Sequence, residues 1–141
     1  MDCLLVNTTG ELKHFYEQAS VIFVGKSLTA EGGQNPIEPG ILGKPMVFGP
    51  NMQNFEIIAK AFVERGAALQ VQDVAGLEAA LAELLEDPQR AGAMGLKALD
   101  VVQENQGSID RTVDMIIDGL RGTARVYVAT RRQEGSVGGV Q

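Results

Sequence analysis

The most informative stretch of this chain is Glu31-Gly32-Gly33-Gln34-Asn35-Pro36-Ile37-Glu38-Pro39. Its two glycines let the backbone approach a ligand closely, because neither carries a Cβ atom. Asn35 is a favoured N-cap residue, and Pro36 suits the first position of a helix. Glu38 follows Asn35 by three residues, where a capping-box carboxylate would stand. The stretch therefore predicts a tight glycine loop that leads directly into a helix.

The glycine loop, which we define as residues 25–35, has two interpretations. In the first, its backbone N–H groups are free to face an anion, and the dipole of the following helix favours the same charge. Residues 31–39 would then form the phosphate-facing corner of a nucleotide site. In the second, they form a turn into a helix with no ligand, because pairs of glycines are common in such turns.

Short apolar runs alternate with amphipathic segments along the chain. Strands are predicted at residues 3–6, 21–24, 45–48 and 68–71. Helices are predicted at residues 11–19, 37–42, 55–65 and 74–86, then from the Asp87-Pro88 break to about residue 104, and again after Gly107-Ser108. This alternation predicts an α/β fold, a Rossmann-like parallel sheet flanked by helices. Such sheets bind ligands at the carboxyl ends of their strands, where residues 8–11 and the glycine loop would lie.

The predicted domain comprises residues 1–122. Residues 123–141 are expected to add a short strand, a disordered tail or both, because residues 131–141 are polar and rich in glycine.

Composition argues against several classes of protein. The chain has 12 Lys and Arg against 18 Asp and Glu, and a formal charge of −6 argues against a nucleic-acid surface. No apolar run approaches the ~20 residues that span a bilayer, and the acidic, short N-terminus is no signal peptide. The single cysteine, Cys3, allows no internal disulfide, which fits a cytoplasmic setting, and its apolar run predicts a buried thiol. His14 is the only histidine, and it is expected at the surface with no metal ion.

Several short motifs follow one another in a characteristic order. They are Asn7-Thr8-Thr9-Gly10-Glu11-Leu12, Phe15-Tyr16, Val24-Gly25-Lys26-Ser27-Leu28, Gly32-Gly33-Gln34-Asn35-Pro36-Ile37-Glu38-Pro39, Gly43-Lys44-Pro45, Phe48-Gly49-Pro50, Asn54-Phe55, Gly66-Ala67, Asp87-Pro88 and Met94-Gly95. Their order resembles the carboxyl-terminal lobe of the 3-deoxy-D-manno-octulosonic acid (Kdo) transferases. The resemblance covers about residues 2–120, and the glycine–asparagine–proline–glutamate run is quite specific.

This resemblance implies the donor-binding lobe of a two-lobed, GT-B type glycosyltransferase. The family transfers Kdo from CMP-Kdo to lipid A precursor in lipopolysaccharide core biosynthesis, with no metal ion or other cofactor. It works at the cytoplasmic face of the bacterial inner membrane. Its catalytic base and membrane-anchoring segment belong to the amino-terminal lobe, to which nothing in this sequence corresponds. The chain is therefore expected to hold no catalytic residue and to be inactive alone. Its expected partners are the CMP-Kdo donor and the missing lobe with its acceptor, and any membrane contact would run through that lobe.

The resemblance also implies a set of donor-binding residues. They are Thr9, Gly10, Glu11, Gly32, Gly33, Gln34, Asn35 and Glu38. The glycines of the loop would approach the donor, Asn35 and the helix start would face the phosphate, and residues 9–11 would form the neighbouring wall. Glu38 would hold the ribose hydroxyls, because a carboxylate accepts hydrogen bonds from two donors. A capping role for Glu38 and a first-turn dipole role for Glu11 stay open beside these.

Three positions depart from the pattern of the family. Gln34 stands where His is usual, and a neutral amide keeps a hydrogen bond but not the charge of an imidazolium. Lys26 stands where glycine is usual, and it is expected either to meet a phosphate or a sugar carboxylate or to be solvated. Asn7 stands where Asp is common.

Two further hypotheses stay open. The lobe geometry is shared by glycosyltransferases and epimerases that use UDP-sugars, and a preference for CMP over UDP separates the two. Alternatively, the chain is a non-catalytic nucleotide-binding or interaction module that pairs with another chain through the face left by the missing lobe. A generic flavodoxin-like domain would show no preference for cytidine nucleotides.

Overall fold

The computed structural model describes residues 3–120 of the chain. Its helices are α1 (Leu12–Gln18), α2 (Ile37–Ile41), α3 (Glu56–Glu64), α4 (Val74–Glu86) and α5 (Pro88–Leu120). Its strands are β1 (Ile22–Phe23), β2 (Met46–Phe48) and β3 (Ala68–Gln70), and a 3₁₀ turn at Gln53–Phe55 precedes α3. The chain divides into two compact units, Met1–Gly107 and Ser108–Gln141. The described strands all belong to the first unit, and the described part of the second is the end of α5.

The described strands form one parallel sheet in the order β1-β2-β3. Ile22 pairs with Met46, which in turn pairs with Ala68. A helix crosses between each pair of neighbouring strands, α2 before β2 and α3 before β3, as parallel pairing requires. The predicted α/β fold with a parallel sheet is therefore confirmed.

Helix ends fall where the sequence predicts them over most of the chain. Gly43 and Gly66 follow α2 and α3 with φ of +62° and +63°, a conformation in which glycine ends a helix without steric cost. Asp87 ends α4, and Pro88 begins α5, where its missing N–H leaves no bond unmade.

Helices cover both faces of the sheet, and the side chains of its central strand β2 point alternately to the two faces. Met46 and Phe48 lie on one face and Val47 on the other, and all three are fully buried. The first face packs against residues of α3 and α5, namely Ala59, Phe62, Ala98, Val101 and Val102. The second packs against residues of α4 and the start of α5, namely Ala80, Leu84, Ala91 and Met94.

The strand predicted at residues 3–6 is absent, and this prediction is wrong. Leu4 and Leu5 are 71% and 87% exposed, and Cys3 is exposed instead of buried. A strand needs a neighbour that takes up its N–H and C=O groups. Among the described residues, β1 pairs with β2 alone, and no strand stands beside the apolar run to accept it.

The predicted break near residues 104–108 is also wrong, because α5 is continuous from Pro88 to Leu120. Gly107 lies inside this helix. A single glycine in a helix interior costs only about 1 kcal/mol relative to alanine, which is too little to end a helix that its neighbours continue. The predicted tail at residues 123–141 lies outside the described residues. None of the helices described in residues 3–120 is both long enough and apolar enough to cross a membrane.

Candidate functional site

Two loops meet at the carboxyl edge of the sheet. The glycine loop follows β1, and residues 49–54, which we call the β2 loop, follow β2. Because β1 and β2 run parallel, both loops leave the sheet at the same edge, where Rossmann-like folds bind their ligands. The structure therefore brings the glycine loop to the edge that the sequence predicts.

The amide groups of the glycine loop bond to the chain itself. Gly33 N–H donates to the carbonyl of Lys26 at 3.1 Å, and Gln34 N–H donates to the carbonyl of Gly25 at 3.0 Å. Gly32 N–H donates to a side chain of the β2 loop at 2.8 Å. The expectation that this loop offers free N–H groups to an anion is therefore wrong at Gly32, Gly33 and Gln34, because acceptors of the chain already hold these hydrogens.

The two loop glycines are favoured by their backbone conformation and pack closely against the β2 loop. Gly32 and Gly33 have φ of +100° and +68°, a region that side chains rarely adopt. A Cβ atom on Gly33 would stand 2.5 Å from the Met52 sulfur, and one on Gly32 would stand 2.7 Å from Asn54 Nδ2. These glycines therefore allow the glycine loop to approach the β2 loop closely.

Ser27 joins the two loops from within, and we call this contact the Ser27–Gly49 clasp. Its hydroxyl donates to the Val24 carbonyl at 2.5 Å and accepts from Gly49 N–H at 2.8 Å. Its own carbonyl accepts from Asn51 N–H at 2.8 Å. Ser27 is completely buried. The hydroxyl is therefore a structural link that holds the loops at a fixed separation.

The backbone conformation of Lys26 explains why glycine is usual at this position in the family. Its φ is +54°, and it is the one non-glycine residue with positive φ in the described part of the chain. Glycine adopts this conformation freely, whereas any side chain brings its Cβ atom close to a neighbouring carbonyl. The position therefore favours glycine for reasons of backbone conformation.

Replacing Lys26 by glycine is expected to stabilise the chain by about 0.5–1 kcal/mol. Relief of the left-handed strain gains about 1–2 kcal/mol, and the greater freedom of glycine in the unfolded chain offsets part of that gain. Urea denaturation measures the change. Lys26→Ala keeps the strain and serves as the control, so an equal gain in both variants would assign the effect to the lysine side chain and contradict the prediction.

The start of α2 brings Asn35 and Glu38 together. Asn35 Oδ1 accepts from Ile37 N–H at 3.0 Å, and Asn35 Nδ2 donates to Glu38 Oε1 at 3.2 Å. The helix begins at Ile37, as predicted, but its N-cap residue is Pro36, one position after the predicted Asn35. The expected capping box, in which Glu38 would bond the backbone N–H of Asn35, is thus replaced by a contact between the two side chains.

A cleft between α1 and α2 opens beside Glu38, and we call it the α1–α2 cleft. Its volume is about 280 Å³, and it is lined by Lys13, Tyr16, Glu38, Ile41 and Leu42. Burial raises the pKa of the Tyr16 phenol above its ordinary value, and the nearby Glu38 carboxylate raises it further. The cleft combines an apolar wall with one carboxylate and one ammonium group, a combination that suits a sugar or a nucleoside.

The predicted residues of the neighbouring wall lie at the start of α1. Gly10 has φ of +87°, and Glu11 is the N-cap residue of the helix without a capping side-chain bond. The Thr8 hydroxyl donates to the Glu11 carboxylate. Residues 9–11 are exposed, and within residues 3–120 no hydrogen bond joins them to the glycine loop. Their part in a site stays a prediction.

A second and larger groove runs beside the β2 loop at the ends of β2 and β3. It measures about 570 Å³, and its lining includes Pro50, Met52, Gln53, Lys60 and Gln70. Gln53 accepts the Gly32 N–H through Oε1, and Gln70 Nε2 donates to the Gly49 carbonyl at 3.3 Å. These glutamines were missed by sequence reasoning, because a lone glutamine in a loop carries no recognisable motif.

The chain has a Rossmann-like α/β fold: a parallel sheet with helices on both faces, a glycine loop at its carboxyl edge and a carboxylate at the start of the next helix. This is the architecture expected of one lobe of a GT-B type glycosyltransferase. Over most of its length, the chain is a homologue of the 3-deoxy-D-manno-octulosonic acid transferases. Both the fold class and the resemblance found in the sequence are thereby confirmed.

Two relatives show the extent of this similarity. The transferase of Bordetella pertussis is 38% identical over 121 residues, which are 85% of this chain and 28% of the relative. The transferase of Haemophilus influenzae is 33% identical over 114 residues, which are 80% of this chain and 27% of the relative. The chain therefore spans little more than a quarter of the length of these relatives. No family model matches it.

A solved structure matches the fold as well as the sequence. It is the C-terminal CMP-Kdo binding domain of WaaA from Acinetobacter baumannii, at 34% identity and a TM-score of 0.66. The match covers 70% of this chain and 52% of the solved chain. The chain thus matches about half of such a domain.

Proposed function

We propose that this chain forms part of the donor-binding lobe of a Kdo transferase and binds CMP-Kdo. One observation carries the proposal, the similarity in both fold and sequence to a solved CMP-Kdo binding domain. The transfer of Kdo to lipid A precursor at the cytoplasmic face of the inner membrane, and an amino-terminal lobe with the catalytic base, belong to the same proposal. They rest on the homology to complete transferases.

Under this proposal the predicted residues have different roles. Glu38 is exposed beside the α1–α2 cleft, a position from which its carboxylate would accept hydrogen bonds from the ribose hydroxyls. Asn35 holds this carboxylate through Nδ2. Gly32, Gly33 and Gln34 act indirectly, because their N–H groups bind the chain, and they fix the path by which the backbone reaches α2. The exposed Gln34 side chain supplies a neutral amide toward the donor.

Titration with CMP is expected to shift the amide resonances of Gly33, Gln34, Asn35, Ile37 and Glu38, whereas UMP and UDP at equal concentration leave them nearly unchanged. This result separates a cytidine-specific lobe from one that uses UDP-sugars and from a generic flavodoxin-like domain. Absence of any shift at millimolar CMP would rule out nucleotide binding by this chain and leave the interaction module as the better hypothesis.

Replacing Glu38 by glutamine is expected to weaken CMP binding about tenfold. A hydrogen bond to a charged group is worth about 1.5–3 kcal/mol, of which the neutral amide retains part, and 1.4 kcal/mol corresponds to a factor of ten. Isothermal titration measures the change. Glu31→Gln is the matched control, because it removes an equal charge from an exposed position of the glycine loop that precedes α2. Equal losses in both variants would mean that only the net charge matters.

A further inference from the structure

The helix α1 is short, and packing alone holds it weakly. It has 7 residues, Leu12–Gln18, whereas isolated helices shorter than about 12 residues are marginal in water. Within these described residues, none is fully buried and none in the last turn is basic. The order of this helix therefore depends on contacts that other parts of the chain supply.

Lys44 supplies such a contact from the turn after α2. Its Nζ atom donates to the Glu17 carbonyl at 2.8 Å and to the Ala19 carbonyl at 3.2 Å. The last carbonyl groups of a helix have no partner within the helix, and the helix dipole favours a cation at this end. Within residues 3–120, no other hydrogen bond joins α1 or its C-cap residue Ala19 to the chain after Ser20.

The backbone around Lys44 is itself fixed by hydrogen bonds. Lys44 N–H donates to the Pro39 carbonyl of α2 at 3.1 Å, and the carbonyl of the next residue, Pro45, accepts from Ile22 N–H of β1 at 3.0 Å. The Lys44 side chain is half-buried. Its ammonium group therefore extends from a rigid point between α2 and the sheet, and the end of α1 is joined to that point.

This link stands beside the α1–α2 cleft without forming part of its lining. Lys13 and Tyr16 of α1 form one wall of the cleft, and residues of α2 and its C-cap form the other. Lys44 joins the C-terminal end of the first wall to the turn that follows the second. Loss of the two bonds would leave α1 free to move away from α2, and the cleft would lose one of its walls.

We propose that Lys44 is a positioning residue that holds α1 against α2 and thereby keeps the α1–α2 cleft in the form that binds a nucleotide. The cleft has both walls only while α1 is docked on α2, so the apparent affinity for a ligand falls in proportion to the docked fraction. This inference rests on the proposed function, because it takes the ligand to be CMP.

Lys44→Met tests the inference, because methionine keeps an unbranched apolar side chain and removes the ammonium group. Each lost hydrogen bond is worth a factor of about five in the docking equilibrium, so a helix that is docked in most molecules becomes docked in about a quarter of them. The helical carbon-13 shifts of residues 12–18 are then expected to fall to about a quarter, and the dissociation constant of CMP is expected to rise about fourfold. Saturating CMP is expected to restore the helical shifts, because binding and docking are reciprocal.

Two further lysine substitutions supply the controls. Lys44→Arg keeps a charged donor at the end of α1, so it is expected to keep the helical shifts and a CMP affinity within about twofold of the unaltered chain. Lys97→Met removes an equal charge from an exposed position of α5 and is expected to change neither quantity. Equal losses of affinity in Lys44→Met and Lys97→Met would assign the effect to net charge and overturn the positioning role.

The outcomes separate the inference from the proposed function. Helical shifts of α1 that persist in Lys44→Met overturn the positioning role while the nucleotide site stands. Changed amide resonances throughout β3 in that variant would also overturn it, because Lys44 would then support the whole fold instead of α1 alone. Failure of the unaltered chain to bind CMP overturns the proposed function and with it the effect on affinity, whereas the shifts of α1 in Lys44→Met still decide whether Lys44 holds this helix.

Discussion

Replacing Gly95 by alanine is expected to destabilise the chain by about 3 kcal/mol or more, which is a large part of the stability of a small domain. The reason lies in the contact between α5 and the turn after α2. A Cβ atom on Gly95 would overlap the Gly43 carbonyl oxygen and stand 2.8 Å from its carbon and 3.3 Å from Pro45 N. All three are backbone atoms, so no side chain can turn aside, and the helix itself must move off the turn.

Gly92 offers a matched control in the same helix. A Cβ atom there would meet nothing within 4 Å, so Gly92→Ala is expected to stabilise the chain by about 1 kcal/mol through helix propensity alone. Urea denaturation followed by circular dichroism measures both variants. The two substitutions are chemically identical, and opposite signs are expected. A similar small change in both would show that α5 does not press against the turn at Gly43.

Gly49→Ala is the second substitution with a large expected effect, again a loss of about 3 kcal/mol or more. The new Cβ atom would overlap the Ser27 carbonyl oxygen and stand 2.6 Å from both the Ser27 carbonyl carbon and Leu28 Cα. Moving the loops apart would also break the bond from Gly49 N–H to the Ser27 hydroxyl. Ser27→Ala removes the hydroxyl alone and leaves a buried N–H without its acceptor, for an expected loss of about 2 kcal/mol.

The control for this pair is Gly25, the first residue of the glycine loop. A Cβ atom on Gly25 would make an ordinary contact of 3.9 Å with the Gln34 side chain, so Gly25→Ala is expected to change stability by less than about 0.5 kcal/mol. The losses in Gly49→Ala and Ser27→Ala are expected to be less than additive, because both variants break the same bond. Full additivity in urea denaturation of the double variant would mean that the Ser27–Gly49 clasp is not a single unit.

Much of the fold was predictable because its signals are local. The apolar runs around Ile22 and Val47 predict buried parallel strands, and Gly43 and Gly66 mark helix ends by the conformations that they alone adopt readily. The run at residues 3–6 carries the same apolar signal, yet a strand depends on a neighbour that its own composition cannot reveal. In the candidate site, too, local features were predictable and long-range partners were not. The position of Glu38 beside a helix start was predictable, whereas the partner of each glycine N–H was not, because loop glycines serve a ligand and a packed loop with the same spacing.

The internal bonds of the glycine loop have a consequence for the thermodynamics of the proposed binding at this edge. Gly32, Gly33 and Gln34 are held by hydrogen bonds before any ligand arrives. A loop that is ordered in the free state loses little conformational entropy in the complex, so less of the interaction energy is consumed by ordering it. If the chain binds CMP as proposed, its affinity would therefore reflect the contacts made by exposed side chains such as Glu38, and ligand exchange would require no folding of the loop.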